Sequence, residues 1–232
     1  MVPGYTGAMS TAISADQYAS GMTYDAYVSY IGTPENLQRG AGTGPRRDYS
    51  AYFREAFDAF HLTANQEAAL KWLVAQPNGP AKMVVVSEEW SSDCRRDVPV
   101  FARIAAASGM ELRIFLRDGQ AYESPGDPDI MSSFLNQKDG GNYRSIPVCA
   151  FYTADLQYLY HFTEYSVQYD KERVVVQHIR APKPGEAPAE TRARADREFG
   201  ALQALPFWEI WKAAAVDEII SALHRKVVLG VV

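Results

Sequence analysis

A serine and a cysteine stand three residues apart in the segment Trp90–Cys94, which reads Trp-Ser-Ser-Asp-Cys. The preceding run Lys82–Ser87 is apolar and rich in β-branched residues, which is typical of a strand buried on both faces. Ser91 and Ser92 are good N-cap residues, so Cys94 falls in the first turn of a predicted helix. Unpaired backbone N–H groups at a helix start lower the pKa of a thiol and favour a thiolate nucleophile. The pattern is therefore compatible with sulfur chemistry at Cys94, with Ser91 as its hydrogen-bond partner, and equally with a structural helix cap.

The elements around this segment predict an α/β fold. Apolar residues at helical spacing run to Ser108–Gly109, and a second, alternating strand follows over residues 111–117. Strand, helix and strand form a βαβ unit with parallel strands. Two strand-like runs, 147–152 and 157–162, are separated by a short turn and predict an antiparallel hairpin. A helix is predicted over residues 128–137, and the sheet is expected to be mixed.

The composition along the chain indicates three segments. Residues 1–47 are expected to form a tail and an N-terminal helical arm, and residues 48–180 the α/β domain. Residues 181–232 are expected to form a linker and a C-terminal helical extension. Proline is frequent over 181–190, which favours an exposed connector. The apolar face of the extension, which includes Trp208, is predicted to pack on the core domain or on a second subunit.

This order of elements, with Pro99 inside the helix and Ile146–Pro147 opening the hairpin, resembles the thioredoxin fold, and in particular a bacterial thioredoxin-like family with added helices. The resemblance covers roughly residues 14–175. It implies a mixed sheet flanked by helices, a thiol–disulfide oxidoreductase, a cis bond before the hairpin proline, and a groove that binds an extended peptide. The nucleophilic first cysteine of the family corresponds to Ser91 here, and a Ser91/Cys94 pair cannot form a disulfide.

Three interpretations of Ser91 and Cys94 stay open. In the first, Ser91 or Ser92 caps the helix, Cys94 is a small buried hydrophobe, and the redox function is lost. In the second, Cys94 is a thiolate that exchanges mixed disulfides with a protein or a low-molecular-weight thiol. In the third, Ser91 stands in place of a native cysteine, which would give Trp-Cys-Ser-Asp-Cys. Cys149 is interpreted as a core residue, with a bridge to Cys94 as the alternative.

The predicted site has two groups of residues. Cys94 and Ser91 are the candidate catalytic residues. The residues expected to bind substrate or to shape the site are Trp90, Ser92, Asp93, Ile146 and Pro147. The alternative function is a non-catalytic module that binds a peptide or a partner protein in the groove between Trp90 and Pro147.

Charge and composition argue against several other classes of protein. The 23 Lys and Arg residues stand against 28 Asp and Glu residues, and the resulting net charge of -5 does not favour a nucleic-acid partner. No apolar run approaches the roughly 20 residues of a membrane-spanning helix, and no secretory signal is visible, so a cytoplasmic location is expected. The scattered histidines predict no metal site, and no cofactor is expected. The adjacent acids Glu88 and Glu89 are interpreted as solvated charges.

Overall fold

The main sheet of the protein contains four strands. The computed structural model describes residues 12–39, 46–118, 130–138 and 140–230. The strands of the main sheet are β1 (Lys82–Ser87), β2 (Glu111–Leu116), β5 (Val148–Tyr152) and β6 (Tyr158–Thr163), and a separate hairpin is formed by β3 (Asn136–Lys138) and β4 (Gly141–Tyr143). The sheet order is β2-β1-β5-β6, with β1 and β2 parallel and β5 antiparallel to β1 and β6. The predicted mixed sheet, βαβ unit and hairpin are therefore confirmed.

Helices flank this sheet. The α-helices of the described residues are α1 (Ala15–Ser20), α2 (Tyr24–Ile31), α3 (Pro34–Gln38), α4 (Ser50–Ala59), α5 (Ala64–Val74), α6 (Ser92–Ser108), α7 (Pro188–Gln203) and α8 (Pro206–Leu229). Two short 3-10 helices cover Ile130–Phe134 and Val167–Tyr169, and a π-helix covers Glu172–Ile179. The N-terminal and C-terminal helices predicted from the sequence are both present.

The link between β1 and α6 sets the position of the candidate motif. β1 lies between β2 and β5, and its residues Met83–Ser87 are all buried. After a turn of a few residues the chain enters α6, which continues through Pro99 and ends at Gly109. Gly109 has a φ of 82°, the left-handed conformation that terminates helices. The motif thus lies at the carboxyl end of a buried strand and at the amino end of a long buried helix.

The N-terminal helices α1 and α2 contact the main sheet. The hydroxyl groups of Tyr27 in α2 and Ser87 in β1 are 3.0 Å apart and hydrogen-bonded. Tyr18 in α1 donates a hydrogen bond to the carbonyl of Glu111, and Met22 exchanges backbone hydrogen bonds with Ile114 at the free edge of β2. These contacts cover the exposed edge of β2, which limits pairing with another chain.

The C-terminal helix α8 packs against the main core and against a second apolar cluster. Val216, Ile219 and Leu223 of α8 are buried in the main core. Near the start of α8, Trp208 packs with Tyr169 in a second, smaller apolar cluster. The predicted packing of the C-terminal apolar face on the core domain is therefore confirmed.

Two sequence-based boundaries are wrong. The helix predicted over 128–137 is, in its described part, a 3-10 turn followed by β3, because Asn136–Lys138 pairs with β4 across a turn in which Gly140 has a φ of 75°. The connector predicted over 181–190 is shorter, since α7 begins at Pro188. Proline suits the first helical position because its missing N–H group has no partner there in any case. No helix among the described residues is both long and apolar enough to cross a membrane.

Candidate functional site

Ser91 is the N-cap of α6. Its Oγ accepts a hydrogen bond from the backbone N–H of Cys94 at 3.4 Å, and its own N–H donates to the carbonyl of Glu88. This is the geometry of a helix cap, in which a hydroxyl satisfies one of the free N–H groups of the first turn. Ser91 also lines a cavity in front of the helix, so it is accessible from solution.

Cys94 points away from that cavity into the core. The residue is fully buried, and it belongs to the main apolar cluster with Val84 and Phe101. Burial raises the pKa of the Cys94 thiol to about 12, outweighing the lowering by hydrogen bonds from Ser87, Glu88 and Ser91. The thiol is therefore protonated at neutral pH and out of reach of a dissolved disulfide, which is the environment of an unreactive cysteine.

Cys149 is the second free thiol of the protein. It lies in β5, paired with Val85 on one side and Phe162 on the other, and it is fully buried. Burial raises its pKa well above the ordinary value. Cys94 and Cys149 form no disulfide, so the interpretation of Cys149 as a core residue is confirmed.

The loop before β5 carries the second part of the predicted site. The Ile146–Pro147 peptide bond is cis, as the resemblance implied. Pro147 is buried and its carbonyl accepts a hydrogen bond from the N–H of Glu164. Among the described residues, no backbone–backbone hydrogen bond involves the amide or the carbonyl of Ile146. Ile146 itself is buried, and it lines a cavity in front of α6.

A cavity of about 530 Å³ joins the motif to this loop. It is lined by Trp90–Asp93 from the motif, by Arg144–Ile146 from the loop, and by Arg117, Lys138, Tyr143, Glu164, Lys171 and Arg180. We call this cavity the pocket. Of the predicted site residues, Trp90, Ser91, Ser92, Asp93 and Ile146 line it, whereas Cys94 and Pro147 lie behind its wall.

One wall of the pocket is built from an aromatic ring and two guanidinium groups. The guanidinium of Arg117 lies 4.7 Å from the ring centre of Trp90. Arg117 donates to the carbonyl of Arg144, and Arg144 donates to the carbonyl of Arg117, which fastens the end of β2 to the loop before β5. The Nε1 atom of Trp90 is buried and has no hydrogen-bond partner. The tryptophan therefore serves as a platform that holds Arg117 at the pocket.

Asp93 connects the pocket to a buried ionic network. Its carboxylate accepts hydrogen bonds from Arg96 at 3.0 Å and from Lys171 at 2.5 Å. Arg96 also pairs with Asp97 through two hydrogen bonds, and its guanidinium lies against the rings of both Tyr169 and Trp208. This arrangement ties α6 to the C-terminal extension, and it fixes Lys171 at the pocket's edge.

Glu88 and Glu89 are not solvated, contrary to the sequence-based interpretation. Both carboxylates are fully buried and both accept hydrogen bonds from Arg46 at 2.8 Å. Glu88 also pairs with Arg39 and accepts from the backbone N–H of Asp118. We call Arg39, Arg46, Glu88 and Glu89 the buried cluster. Sequence reasoning missed it because the arginines lie more than 40 residues before the acids.

Several pocket residues also escaped the sequence-based reading. Lys138, Glu164, Lys171 and Arg180 come from short or irregular elements: β3, the turn after β6, and both ends of the π-helix. None of them belongs to a recognisable motif. They share their position in the folded chain, and neither residue spacing nor hydrophobic periodicity predicts that position.

Comparisons with known proteins agree with this architecture. A search of curated proteins found no match. Among solved structures, a protein of unknown function from Pseudomonas aeruginosa is similar to 91% of this chain and 98% of its own, with a TM-score of 0.50 and 14% identity. An HIV epitope-scaffold is similar over 92% and 98% of the two chains, with a TM-score of 0.49 and 15% identity. At such identity the first similarity shows the fold alone.

The sequence itself also matches a known family. A sequence model described as thioredoxin matches residues 46–177, which include the motif, the cis-proline loop and the whole main sheet. The matched region is more than half of the chain. The chain therefore belongs to the thioredoxin family.

Proposed function

We propose that the chain is a thioredoxin-fold binding module, which holds a peptide segment of a partner protein in the pocket and performs no thiol–disulfide exchange. The observation that carries this proposal is the burial of Cys94 behind the pocket wall, with a pKa of about 12. A redox thiol of this fold must reach its substrate and must be ionised to attack. Cys94 meets neither requirement, and Ser91, in the accessible position, is a hydroxyl that accepts a hydrogen bond from the backbone N–H of Cys94 and is hydrogen-bonded to no basic side chain among the described residues.

The peptide-binding part of the proposal is supported by the features that surround the missing thiol. Ile146 lines the pocket and makes no backbone–backbone hydrogen bond to the described residues, a position that suits an extended segment that adds by backbone hydrogen bonding. Trp90 and Tyr143 supply aromatic surface beside it. The cavity volume is within the ordinary range of about 300–1,000 Å³ for ligand sites.

Thiol–disulfide exchange by Cys94 alone is the competing function, and alkylation kinetics separate the two. The chain is treated with iodoacetamide under native conditions, and labelling at each cysteine is followed by mass spectrometry against an unfolded sample. Cys149 is a matched internal control, since it is equally buried and lies on a central strand. We expect both cysteines to label only as fast as the protein unfolds. Labelling of Cys94 much faster than Cys149 would contradict the proposal.

The binding function is tested by selection from a displayed library of random octapeptides. The intact chain is the target, and a Ser92→Trp variant is the control. Ser92 lines the pocket at the first turn of α6, and its side chain makes no hydrogen bond to the residues that the structure describes, so an indole there occupies the cavity without removing one. We expect peptides to be enriched on the unsubstituted chain and not on the variant. Equal enrichment on both would place binding outside the pocket.

A further inference from the structure

Another cavity of the protein lies between α5 and α8. Its volume is about 580 Å³, and it is lined by Ala69, Trp72 and Leu73 of α5 and by Ile220, His224 and Arg225 of α8. We call this cavity the α5–α8 groove. It shares no lining residue with the pocket, and none of its residues was predicted from the sequence to belong to a site. The α5–α8 groove is therefore a separate candidate site.

The surface of the α5–α8 groove is mainly apolar. Trp72 is 49% exposed, whereas the next residue, Leu73, is buried in the main core. The ring centres of Trp72 and His224 lie 6.1 Å apart, so each helix presents an aromatic ring at the groove. Burial of indole surface is favourable, and an aromatic ligand adds offset stacking to that gain. These rings therefore favour a planar aromatic ligand.

Arg225 supplies a positive charge at the α5–α8 groove. Its side chain is exposed, and no carboxylate of the residues that the structure describes pairs with its guanidinium. The carboxylates on the neighbouring helical turns have other partners: Glu67 pairs with Lys71, Asp217 accepts from the side chain of Gln66, and Glu218 accepts from the backbone N–H of Val167. Tyr160 of β6 also lies near Arg225, but burial raises its pKa, so it is a neutral phenol. A guanidinium in this setting suits a carboxylate, which it binds through two parallel hydrogen bonds.

The length of the α5–α8 groove favours a small ligand over a helix of a partner protein. At a rise of about 1.5 Å per residue, residues 69–73 span about 6 Å of α5 and residues 220–225 about 7.5 Å of α8. A helix bound in a groove uses anchors from position i to i+7, which span about 10.5 Å. The cavity volume is within the range of about 300–1,000 Å³ for small-molecule sites. We infer that the α5–α8 groove binds a small aromatic carboxylate, with its ring against Trp72 and its carboxylate at Arg225.

A pair of probes that differ only in charge tests this inference. Naphthalene carboxylate and naphthalene carboxamide have nearly the same shape, and their binding to the intact chain is measured by isothermal titration calorimetry. We expect the carboxylate to bind about fivefold more tightly, the effect of one exposed ion pair. This difference should decrease as sodium chloride is raised. Equal affinities of the two probes would overturn the inference.

Two adjacent cations of α8 give a matched pair of variants. Arg225→Gln removes the cation of the α5–α8 groove, whereas Lys226→Gln removes a cation that does not line it. We expect Arg225→Gln to weaken binding of the carboxylate by about fivefold and to leave binding of the carboxamide unchanged. Lys226→Gln should change neither affinity. Equal weakening by the two variants would reduce the preference to general attraction and overturn the inference.

Ser221→Trp tests whether the probe binds inside the α5–α8 groove. Ser221 lines the groove and is exposed, and its hydroxyl donates to the carbonyl of Asp217, so the substitution removes one exposed hydrogen bond. We expect an unchanged circular dichroism spectrum and about tenfold weaker binding of the carboxylate, because the indole occupies the cavity. Unchanged binding would place the probe elsewhere and overturn the inference. Arg225→Gln keeps the test independent of this larger substitution.

A second copy of the chain is the other occupant that these variants detect. Sedimentation equilibrium is measured for the unsubstituted chain and for Ser221→Trp. We expect the same mass for both, because a small ligand leaves the oligomeric state unchanged. A dimer that Ser221→Trp dissociates would make the α5–α8 groove an interface between copies and would overturn the inference. Neither result bears on the proposed function, since the pocket and the groove share no residue.

Discussion

Two charged regions lie on either side of the Trp90–Cys94 motif, and they are built on different principles. In the buried cluster, two arginines face two glutamates with every ion pair at 2.8–2.9 Å, and Arg46, Glu88 and Glu89 have no exposed side-chain surface. In the pocket, basic and acidic side chains, among them Arg117, Arg180 and Glu164, line an open cavity. One region is closed, and the other is open to water.

The contrast separates charges that the fold requires from charges that lie at an open cavity. A buried ion must be paired, because the desolvation of an unpaired charge costs several kcal/mol. Balance in the buried cluster is therefore a requirement of folding and indicates no ligand. Water and salt can screen the exposed charges of the pocket in the free protein, so folding does not require each of them to be paired. It is this second region that carries information about binding.

The largest expected effect comes from the closed region. Arg46→Met keeps the aliphatic stem but leaves Glu88 and Glu89 buried with their shared partner removed. We expect a loss of about 3–5 kcal/mol in the free energy of unfolding, measured by urea denaturation. Arg47→Met is the matched control, because Arg47 is exposed and adjacent in sequence, and it should stay within about 0.5 kcal/mol. Similar losses for both variants would mean that the cluster is not the source of the effect.

The next effect concerns the thiol that lies between the two regions. The pKa of Cys94 is about 12 in the folded protein, against 9.0 for an ordinary cysteine. Between these values the unfolded chain loses the proton while the folded chain retains it, so the free energy of unfolding falls as pH rises. The slope from one such group approaches about 1.4 kcal/mol per pH unit.

Comparison with Cys94→Ala isolates this contribution from the tyrosines that titrate in the same range. The stability difference between the two proteins should be constant below about pH 8 and should shift by about 2 kcal/mol between pH 8 and pH 10.5 in favour of the variant. Stability curves that stay parallel across that range would show that Cys94 is as accessible to ionisation in the folded state as in the unfolded one, and would weaken the case for a closed site.

A smaller change tests whether the open region retains redox competence. Ser91→Cys restores the two-cysteine motif of the family and removes the hydroxyl cap of α6. We expect a stability loss of about 1 kcal/mol from the lost cap. We also expect insulin reduction to appear, because the new thiol lies at an accessible helix start beside Cys94. Ser92→Cys, which places a thiol one residue away, should stay inactive; equal activity of the two variants would show that the spacing to Cys94 is irrelevant.

Local patterns predicted the frame of the molecule well. The apolar run of β1, the serine cap and the glycine stop of α6 act over a few residues each, so they can be read along the chain. The hairpin of β5 and β6 and the cis bond before Pro147 were also expected, the latter from the resemblance to thioredoxins. These features position the Trp90–Cys94 motif and the loop before β5.

Long-range contacts were beyond the reach of the same patterns. Glu88 and Glu89 looked solvated because their partner Arg46 comes from a distant part of the chain. Two interpretations of Cys94 stayed open, a thiolate and a buried core residue, since its position in the first helical turn is compatible with both. Which side of α6 faces the core depends on its packing against β1 and β2 and against α4 and α5, and only the folded structure settles that choice.

The smallest expected effect is the most informative about the pocket. Arg180→Gln should change the free energy of unfolding by less than about 0.5 kcal/mol, because the side chain is exposed and has no carboxylate partner among the described residues. The measurement is a urea denaturation series beside Arg46→Met. A loss above about 1 kcal/mol would make Arg180 a structural residue. A neutral result would show that the fold does not require the charge of Arg180, in contrast to that of Arg46.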